Sequence, residues 1–200
     1  MFADEGASLT ILGSPRGEEG ECAQTQADFW VFAYGSLIWN PGFAHLARVP
    51  AKLSGYHRRY CIRSQIYRGT PEIPGLVLGL RKGGECEGVA YCVAGALRNP
   101  TMQYLRAREL ITDVYFETLA RIETRDGLRC DAYTYVADPA HEQFVAQDED
   151  EAVVEMIARA SGIAGANAEY ALNTAANLAA IGVHDALVER IAAALRPQAA

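Results

Sequence analysis

The order in which strand and helix patterns occur along the chain is the feature that most restricts its fold. Short β-prone segments dominate the chain before residue 137, and helical patterns dominate its last quarter. An alternating parallel sheet needs a helix after nearly every strand, so this order favours the α+β class. Half of the 200 residues are hydrophobic, which is enough for one well-filled core.

The periodicity predicts six strands and four helices. The strands are expected near residues 29–34, 51–63, 75–81, 88–93, 114–122 and 129–136. The helices are expected near residues 101–111, 149–160, 167–180 and 184–195. At the start of the first helix, Asn99 is a candidate cap. Pro100 follows at the expected first helical position, where its missing N–H costs no hydrogen bond.

Negative charge is concentrated at the N-terminus. Residues 1–28 hold six acidic side chains and one arginine, a net charge of −5 out of −7 for the whole chain. We therefore expect an acidic, disordered tail at 1–28, followed by a single domain at 29–196. The remaining charge of −2 disfavours binding to nucleic acid, because contacts to phosphates need a basic face.

The sequence also lacks the patterns of several other classes of protein. No apolar run approaches the roughly 20 residues that span a bilayer, and the N-terminus lacks the pattern of a secretory signal. We expect a cytoplasmic protein with no membrane partner and with reduced thiols, because the five cysteines include no Cys-x-x-Cys pair. Histidine spacing predicts no metal site, and no phosphate-binding glycine loop predicts a nucleotide cofactor. The oligomeric state is left open.

The segment from Val31 to Trp39 predicts a buried strand that ends in a glycine turn. Gly35 permits either a positive φ or a close backbone approach. The N–H groups of Gly35, Ser36 and Leu37 would then converge on a carboxylate or an oxyanion. The alternative is an ordinary junction between a strand and a turn, since Gly-Ser pairs are common in loops.

The string from Tyr34 to Pro41, Tyr-Gly-Ser-Leu-Ile-Trp-Asn-Pro, resembles the opening motif of the ChaC-like γ-glutamylcyclotransferases. In that family the motif forms the substrate-binding loop. The resemblance continues through residues 55–61, Ser64, residues 67–70, 74–80, 88–91, 104–109, 167–170 and 177–178. Two positions depart from it, because family members often have Gly at the position of Ala33 and His at that of Tyr67. The change at Tyr67 would affect recognition of the far end of the substrate.

The resemblance implies a small closed mixed β-barrel with flanking helices. It also implies that glutathione is cleaved to 5-oxoproline and cysteinylglycine without a cofactor, with Glu109 as the catalytic residue. A cyclotransferase for other γ-glutamyl amino acids or amines is an alternative. A non-catalytic γ-glutamyl-binding module is a further one, although a pure binder has no need of an acid–base group such as Glu109.

Helical periodicity provides an independent argument about whether Glu109 faces the core. On a helix that starts near Thr101, Glu109 shares a row with Met102 and Leu105, so a row facing the core would end in a carboxyl group. A buried carboxyl group is costly unless it is paired, neutralised or functional, and burial would raise its pKa. The alternative is a solvent-facing glutamate, or one paired with Arg106 or Arg108 on the helix surface.

Three further side chains are candidates for substrate binding. Arg68 offers a planar guanidinium to a substrate carboxylate, or else forms a structural salt bridge. Tyr115 lends a hydroxyl group to the pocket, or else packs in the core as a strand residue. Tyr170 closes one side of the pocket, or else only packs a late helix onto the barrel.

Overall fold

The computed structural model describes residues 27–196. The predicted acidic tail at 1–28 therefore lies outside the described residues, apart from Ala27 and Asp28. The Asp28 carboxylate accepts a hydrogen bond from Gly95 N at 2.9 Å, which ties the start of the described chain to the barrel. The tail and the domain limits remain predictions.

Within residues 27–196, five strands close a mixed barrel. They are β1 (Phe29–Ala33), β2 (Ala47–Ser64), β3 (Gly75–Val93), β4 (Tyr115–Thr124) and β5 (Arg129–Ala137). Around the barrel their order is β1, β3, β2, β4, β5. The closing pair, β1 and β5, is parallel, whereas the other pairs are antiparallel. The expected fold, a small closed mixed barrel in an α+β protein, is confirmed.

The prediction of separate strands at 75–81 and 88–93 is wrong, because one long strand, β3, covers both. The polar, glycine-containing segment between them has the composition of a turn. Gly83 and Gly84 adopt positive φ values of 96° and 71° inside the strand. Opposite them, the register of β2 shifts between Ser54 and Tyr56. The two strands therefore bend together at an irregularity instead of ending there.

The described residues also form four α-helices, close to the predicted ones. They are α1 (Arg98–Glu109), α2 (Asp150–Arg159), α3 (Asn167–Ala180) and α4 (Ala186–Leu195). The expected cap at Asn99 is wrong, since a short 3₁₀ turn at Gly95–Leu97 runs directly into α1 and makes Asn99 its second residue. Pro100 is tolerated at the third position, because N–H groups in the first turn have no partner within the helix.

The start of α3 is fixed to the barrel by Asn167, which is fully buried. Its side-chain Oδ1 accepts from Leu76 N at 2.6 Å, and its Nδ2 donates to Leu76 O at 3.1 Å. The amide thus pairs with the backbone of β3 as a neighbouring strand would. Because Tyr170 lies one turn later on the same helix, this pairing also sets the position of the tyrosine relative to the barrel.

No α-helix in the described part of the chain is long and apolar enough to cross a membrane. Two very short strands, β6 (Ser161–Gly162) and β7 (Gly165–Ala166), pair with each other just before α3. Backbone bonds from Ile163 N to Ile66 O and from Ala164 N to Tyr67 O join this hairpin to the loop after β2. Hairpin and loop together form one rim of the cavity described next.

Candidate active site

A cavity of about 630 Å³ opens at one end of the barrel. It is bounded by the turn after β1, the end of α1, the start of β4 and the start of α3. The eight residues predicted from the sequence all line it: Tyr34, Gly35, Ser36, Leu37, Arg68, Glu109, Tyr115 and Tyr170. The fold therefore brings together residues that are as far apart in sequence as Tyr34 and Tyr170.

The turn after β1 is fixed through its carbonyl groups. Tyr34 O accepts from Arg58 Nε at 2.7 Å, and Gly35 O accepts from Ile38 N at 2.9 Å. The Tyr91 hydroxyl lies 3.0 Å from Leu37 O, to which it donates. These bonds hold the turn from several sides.

The N–H groups of the same turn have a different environment from its carbonyl groups. Within residues 27–196, the backbone N–H groups of Gly35, Ser36 and Leu37 have no acceptor within hydrogen-bonding distance. Each of these residues lines the cavity. Unpaired backbone donors that share a concave turn form a site for an anion or for a polarised carbonyl oxygen.

Gly35 is required for close approach and not for a positive φ, since its φ is −134°. A Cβ atom added at this position would lie 3.3 Å from the Tyr170 hydroxyl oxygen. A larger side chain would therefore press on the tyrosine and fill the cavity beside the free N–H groups.

Glu109 is the last residue of α1. Its row faces the core, which is one of the two alternatives that periodicity left open, with Met102 at 5% and Leu105 at 0% exposure. The Glu109 side chain is 18% exposed, lines the cavity and pairs with Arg108, whose Nε lies 3.1 Å from Glu109 Oε1. Burial raises the pKa of Glu109, and the neighbouring guanidinium of Arg108 opposes this rise. Glu109 therefore combines the two predicted alternatives, because it pairs with Arg108 and its carboxyl group also lines the cavity.

Arg108 connects the carboxyl group to the turn. Its guanidinium donates to Ser36 Oγ at 2.9 Å, to Asn40 O at 2.7 Å and to the Tyr104 hydroxyl at 2.9 Å. With its remaining nitrogen on Glu109, the guanidinium uses every nitrogen within the protein. The sequence-based list of site residues omitted this role; the only signal for it was the position of Arg108 next to Glu109.

Two tyrosine hydroxyl groups meet the backbone of Leu78 on β3. The Tyr115 hydroxyl donates to Leu78 O at 2.9 Å, and the Tyr170 hydroxyl accepts from Leu78 N at 3.4 Å. Burial raises the pKa of Tyr170 to about 12 and holds the pKa values of Tyr115 and Tyr34 well above their usual range. All three phenols therefore stay protonated at neutral pH.

Arg68 lies between the hairpin and α3. Its Nη1 donates to Ala166 O at 3.1 Å, and the guanidinium carbon lies 5.8 Å from the centre of the Tyr170 ring. In the described part of the chain, no carboxylate lies within 4.0 Å of this guanidinium. The structural salt bridge that was the alternative for Arg68 is therefore not formed among these residues.

The outer part of the cavity differs from its floor, by which we mean the turn at Tyr34–Leu37 together with Glu109, Tyr115 and Tyr170. Ile66, Tyr67 and Ile111 line it and are 50%, 49% and 54% exposed. No sequence pattern marks the two isoleucines as site residues, because isolated apolar residues in loops are common on protein surfaces. This outer part, which we call the mouth, is open to solvent and combines these large side chains with the exposed polar residues Arg63 and Thr112.

Comparisons with known proteins identify the family and support the fold. A family model described as ChaC-like protein matches residues 29–198. The glutathione-specific γ-glutamylcyclotransferase of Escherichia coli (strain K12) is 33% identical over 164 residues, which cover 82% of this chain and 71% of that protein. The Homo sapiens glutathione-specific γ-glutamylcyclotransferase 1 is 33% identical over 150 residues, covering 73% and 68%. A crystal structure of a yeast γ-glutamyl cyclotransferase specific to glutathione shares the fold, with a TM-score of 0.77, 20% identity, and 85% and 96% coverage.

Proposed function

Because this chain belongs to the ChaC-like family, we propose that it is a γ-glutamylcyclotransferase that converts glutathione to 5-oxoproline and cysteinylglycine. The observation that carries this proposal is that, within residues 27–196, the largely buried carboxyl group of Glu109 lines the same cavity as three backbone N–H groups without a protein acceptor. Such a pairing provides both proton transfer and stabilisation of an oxyanion in the same place.

The substrate supplies its own nucleophile. In a γ-glutamyl compound, the α-amine nitrogen can reach the γ-carbonyl carbon and close a five-membered lactam. The bond from that carbon to the next nitrogen then breaks, and the amine leaves with a proton. The enzyme has to hold the chain in a ring-like pose, deprotonate the α-ammonium group and protonate the departing nitrogen.

We assign both proton transfers to Glu109. As a carboxylate, Glu109 takes a proton from the attacking amine, and as a carboxylic acid it returns one to the leaving nitrogen. Burial raises the pKa of Glu109 and so brings its two protonation states closer in free energy at neutral pH. The ion pair with Arg108 at 3.1 Å limits that rise and keeps the carboxylate form accessible.

We assign the binding of the γ-glutamyl group to the floor of the cavity. The N–H groups of Gly35, Ser36 and Leu37 are placed to donate to the carbonyl oxygen that becomes an oxyanion in the tetrahedral intermediate. Tyr34, Tyr115 and Tyr170 enclose the group with protonated phenols. Their bonds to Leu78 keep two of these rings in fixed orientations.

We assign the far end of the substrate to Arg68 and the mouth. The described residues leave part of the Arg68 guanidinium without a partner, so it is available for a carboxylate in a planar, two-bond arrangement. Because the mouth is open to solvent, the cavity does not enclose the leaving group and can accommodate more than one kind. Other γ-glutamyl amino acids are therefore a second candidate class of substrate.

Product analysis tests the proposal. The purified protein is incubated with reduced glutathione and, in parallel, with γ-glutamylalanine, and the products are identified by mass spectrometry. We expect 5-oxoproline and cysteinylglycine in equal amounts from glutathione. Formation of 5-oxoproline from γ-glutamylalanine alone would move the substrate class to γ-glutamyl amino acids. No 5-oxoproline from either compound would contradict the enzyme proposal.

We further propose that the protein works in the cytoplasm. The four cysteines among the described residues are Cys61, Cys86, Cys92 and Cys130, and all are free thiols. Free thiols are typical of a reducing compartment. Detection of the protein in a cell fraction separated from membranes and from secreted material tests this location.

A further inference from the structure

The most deeply buried charged side chain in the described chain lies outside the cavity. Arg58, on β2, is 4% exposed and does not line the cavity. Its Nε donates to Tyr34 O at 2.7 Å, its Nη2 donates to Glu87 O at 2.6 Å, and its Nη1 pairs with the Asp185 carboxylate. One planar guanidinium therefore joins the turn after β1, strand β3 and the residue before α4.

The Asp185 carboxylate bonds both to Arg58 on β2 and to the start of α4. Its Oδ2 accepts from Arg58, and its Oδ1 caps α4 by accepting from Leu187 N and Val188 N, both at 3.1 Å. A buried arginine is costly without such a partner. The position of the guanidinium is therefore fixed by the start of α4 as well as by the barrel.

The contact with Tyr34 has a consequence for the neighbouring amide. The structure contains no cis peptide bond in its described residues, so the Tyr34 C=O and the Gly35 N–H point in opposite directions. Arg58 holds the carbonyl on the side away from the cavity. The Gly35 N–H is thereby directed to the cavity side, where it has no acceptor among the described residues.

We infer that Arg58 is a positioning residue for the reaction, because it fixes the Tyr34–Gly35 peptide so that the Gly35 N–H faces the reacting carbonyl. This inference rests on the proposed function, which assigns that N–H to the oxyanion. Lysine cannot replace arginine here, since a single ammonium group does not reach three acceptors that lie in a planar fork. Arg58 touches neither the substrate nor Glu109, so its effect is transmitted through the backbone.

The test compares variants at Arg58 and Asp185 with a destabilised control variant that leaves the turn intact. In Arg58→Lys, we expect kcat with glutathione to fall at least about tenfold, while KM changes by less than about threefold, because an oxyanion donor contributes mainly in the transition state. Asp185→Asn keeps a capping side chain for α4 but removes the charge partner, so it folds and shows a smaller fall in kcat in the same direction. If Arg58→Lys does not yield folded protein, Asp185→Asn decides the question.

Ile191→Ala is the control. Ile191 is fully buried on α4 and makes no hydrogen bond to the turn, so its truncation lowers the Tm without reorienting the Tyr34–Gly35 peptide. All rates are measured well below the lowest Tm of the set. We expect the control to keep the wild-type kcat.

A second measurement does not depend on activity. In ¹H–¹⁵N spectra, we expect the Gly35 amide signal to shift in Arg58→Lys and Asp185→Asn and to stay in place in Ile191→Ala. Unchanged kcat and an unmoved Gly35 signal in the variants at Arg58 and Asp185 would overturn the inference. If wild type makes no 5-oxoproline, the proposed function fails by itself, and the amide signal still reports whether Arg58 fixes this peptide.

Discussion

The floor and the mouth of the cavity are built in different ways. At the floor, several polar groups are held by other parts of the protein: Arg58 fixes the turn, Arg108 pairs with Glu109, and Leu78 bonds to two tyrosine hydroxyl groups. At the mouth, Ile66, Tyr67 and Ile111 are about half exposed. The floor is therefore organised before the substrate binds, whereas the mouth offers contact area with few fixed directions.

This difference indicates that the floor and the mouth contribute to different steps, catalysis and substrate binding. Groups held in fixed directions stabilise a transition state efficiently, because they need no reorganisation when charge develops. Exposed side chains contribute more equally to the substrate and to the transition state. Changes at the floor should therefore act on kcat, and changes at the mouth should act on KM and on the choice of leaving group.

The largest effect is expected at Glu109. In Glu109→Gln the amide cannot exchange a proton, so kcat with glutathione should fall by about 10²- to 10⁴-fold while KM changes little. Steady-state kinetics with detection of 5-oxoproline measures both parameters. A fall in kcat of less than tenfold would assign the proton transfers to another group.

Glu117→Gln provides a matched control for that variant. Glu117 lies on β4, forms a bidentate pair with Arg106 at 2.7 Å and does not line the cavity. Neutralising this carboxylate removes an ion pair near α1 without changing the site. We expect kcat to stay within twofold of wild type.

The next largest effect is expected at Arg68. In Arg68→Gln the guanidinium is lost but a polar side chain remains, so KM for glutathione should rise about tenfold, as for the loss of one charged hydrogen-bonding partner. The kcat value should be nearly unchanged. A fall in kcat without a rise in KM would mean that Arg68 acts on the transition state, as the floor residues do. That result would contradict the proposed difference between floor and mouth.

A smaller effect concerns the dependence of stability on pH. The pKa of Glu109 is raised in the folded protein, so the folded state binds this proton more tightly than the unfolded chain does. The stabilisation from Glu109 is therefore full below its unfolded pKa and is lost as the pH rises through the folded pKa. Glu109→Gln escapes this loss, and we expect its Tm to exceed that of wild type at pH 7 and to match it below pH 4.5.

Thermal unfolding of both proteins across this pH range checks the sign. Arg108 keeps an acceptor in the variant, because the glutamine amide oxygen replaces a carboxylate oxygen. A Tm for Glu109→Gln that is lower than that of wild type at pH 7 would mean that the ion pair with Arg108 outweighs the cost of burying the charge.

The smallest effect is expected at Tyr67. In Tyr67→His, an exposed mouth residue is exchanged for the residue that family members often carry there. We expect kcat to stay constant and KM for glutathione to change by less than about threefold, in the direction of tighter binding. A change in kcat instead would show that the mouth influences the chemistry directly. Kinetics with glutathione and γ-glutamylalanine measures both effects.

Local patterns predicted the elements that depend on local interactions. The expected limits of the third helix, 167–180, agree with α3, and the row that ends in Glu109 and includes Leu105 faces the core, one of the two alternatives that periodicity allowed. The merger of two predicted strands into β3 was missed because Gly83 and Gly84 have the composition of a turn. Only the pairing with β2 shows that the chain continues as a strand there.

The contacts that prepare the site could not be read from the sequence. Arg58 and Tyr34 are 24 positions apart, and Arg108 and Ser36 are 72 positions apart. No local pattern records that an arginine on one element meets a carbonyl or hydroxyl group on another. Most of the candidate site residues were proposed from the resemblance to the family, whereas the residues behind them required the fold.

The most direct test of the division between floor and mouth is glutathione binding to Glu109→Gln, measured by calorimetry and followed by an assay for 5-oxoproline on the same sample. We predict a Kd close to the wild-type KM and no detectable product during the time in which wild type consumes the substrate. Loss of glutathione binding by a folded Glu109→Gln protein would contradict the account, because Glu109 would then hold the substrate and not only move its protons.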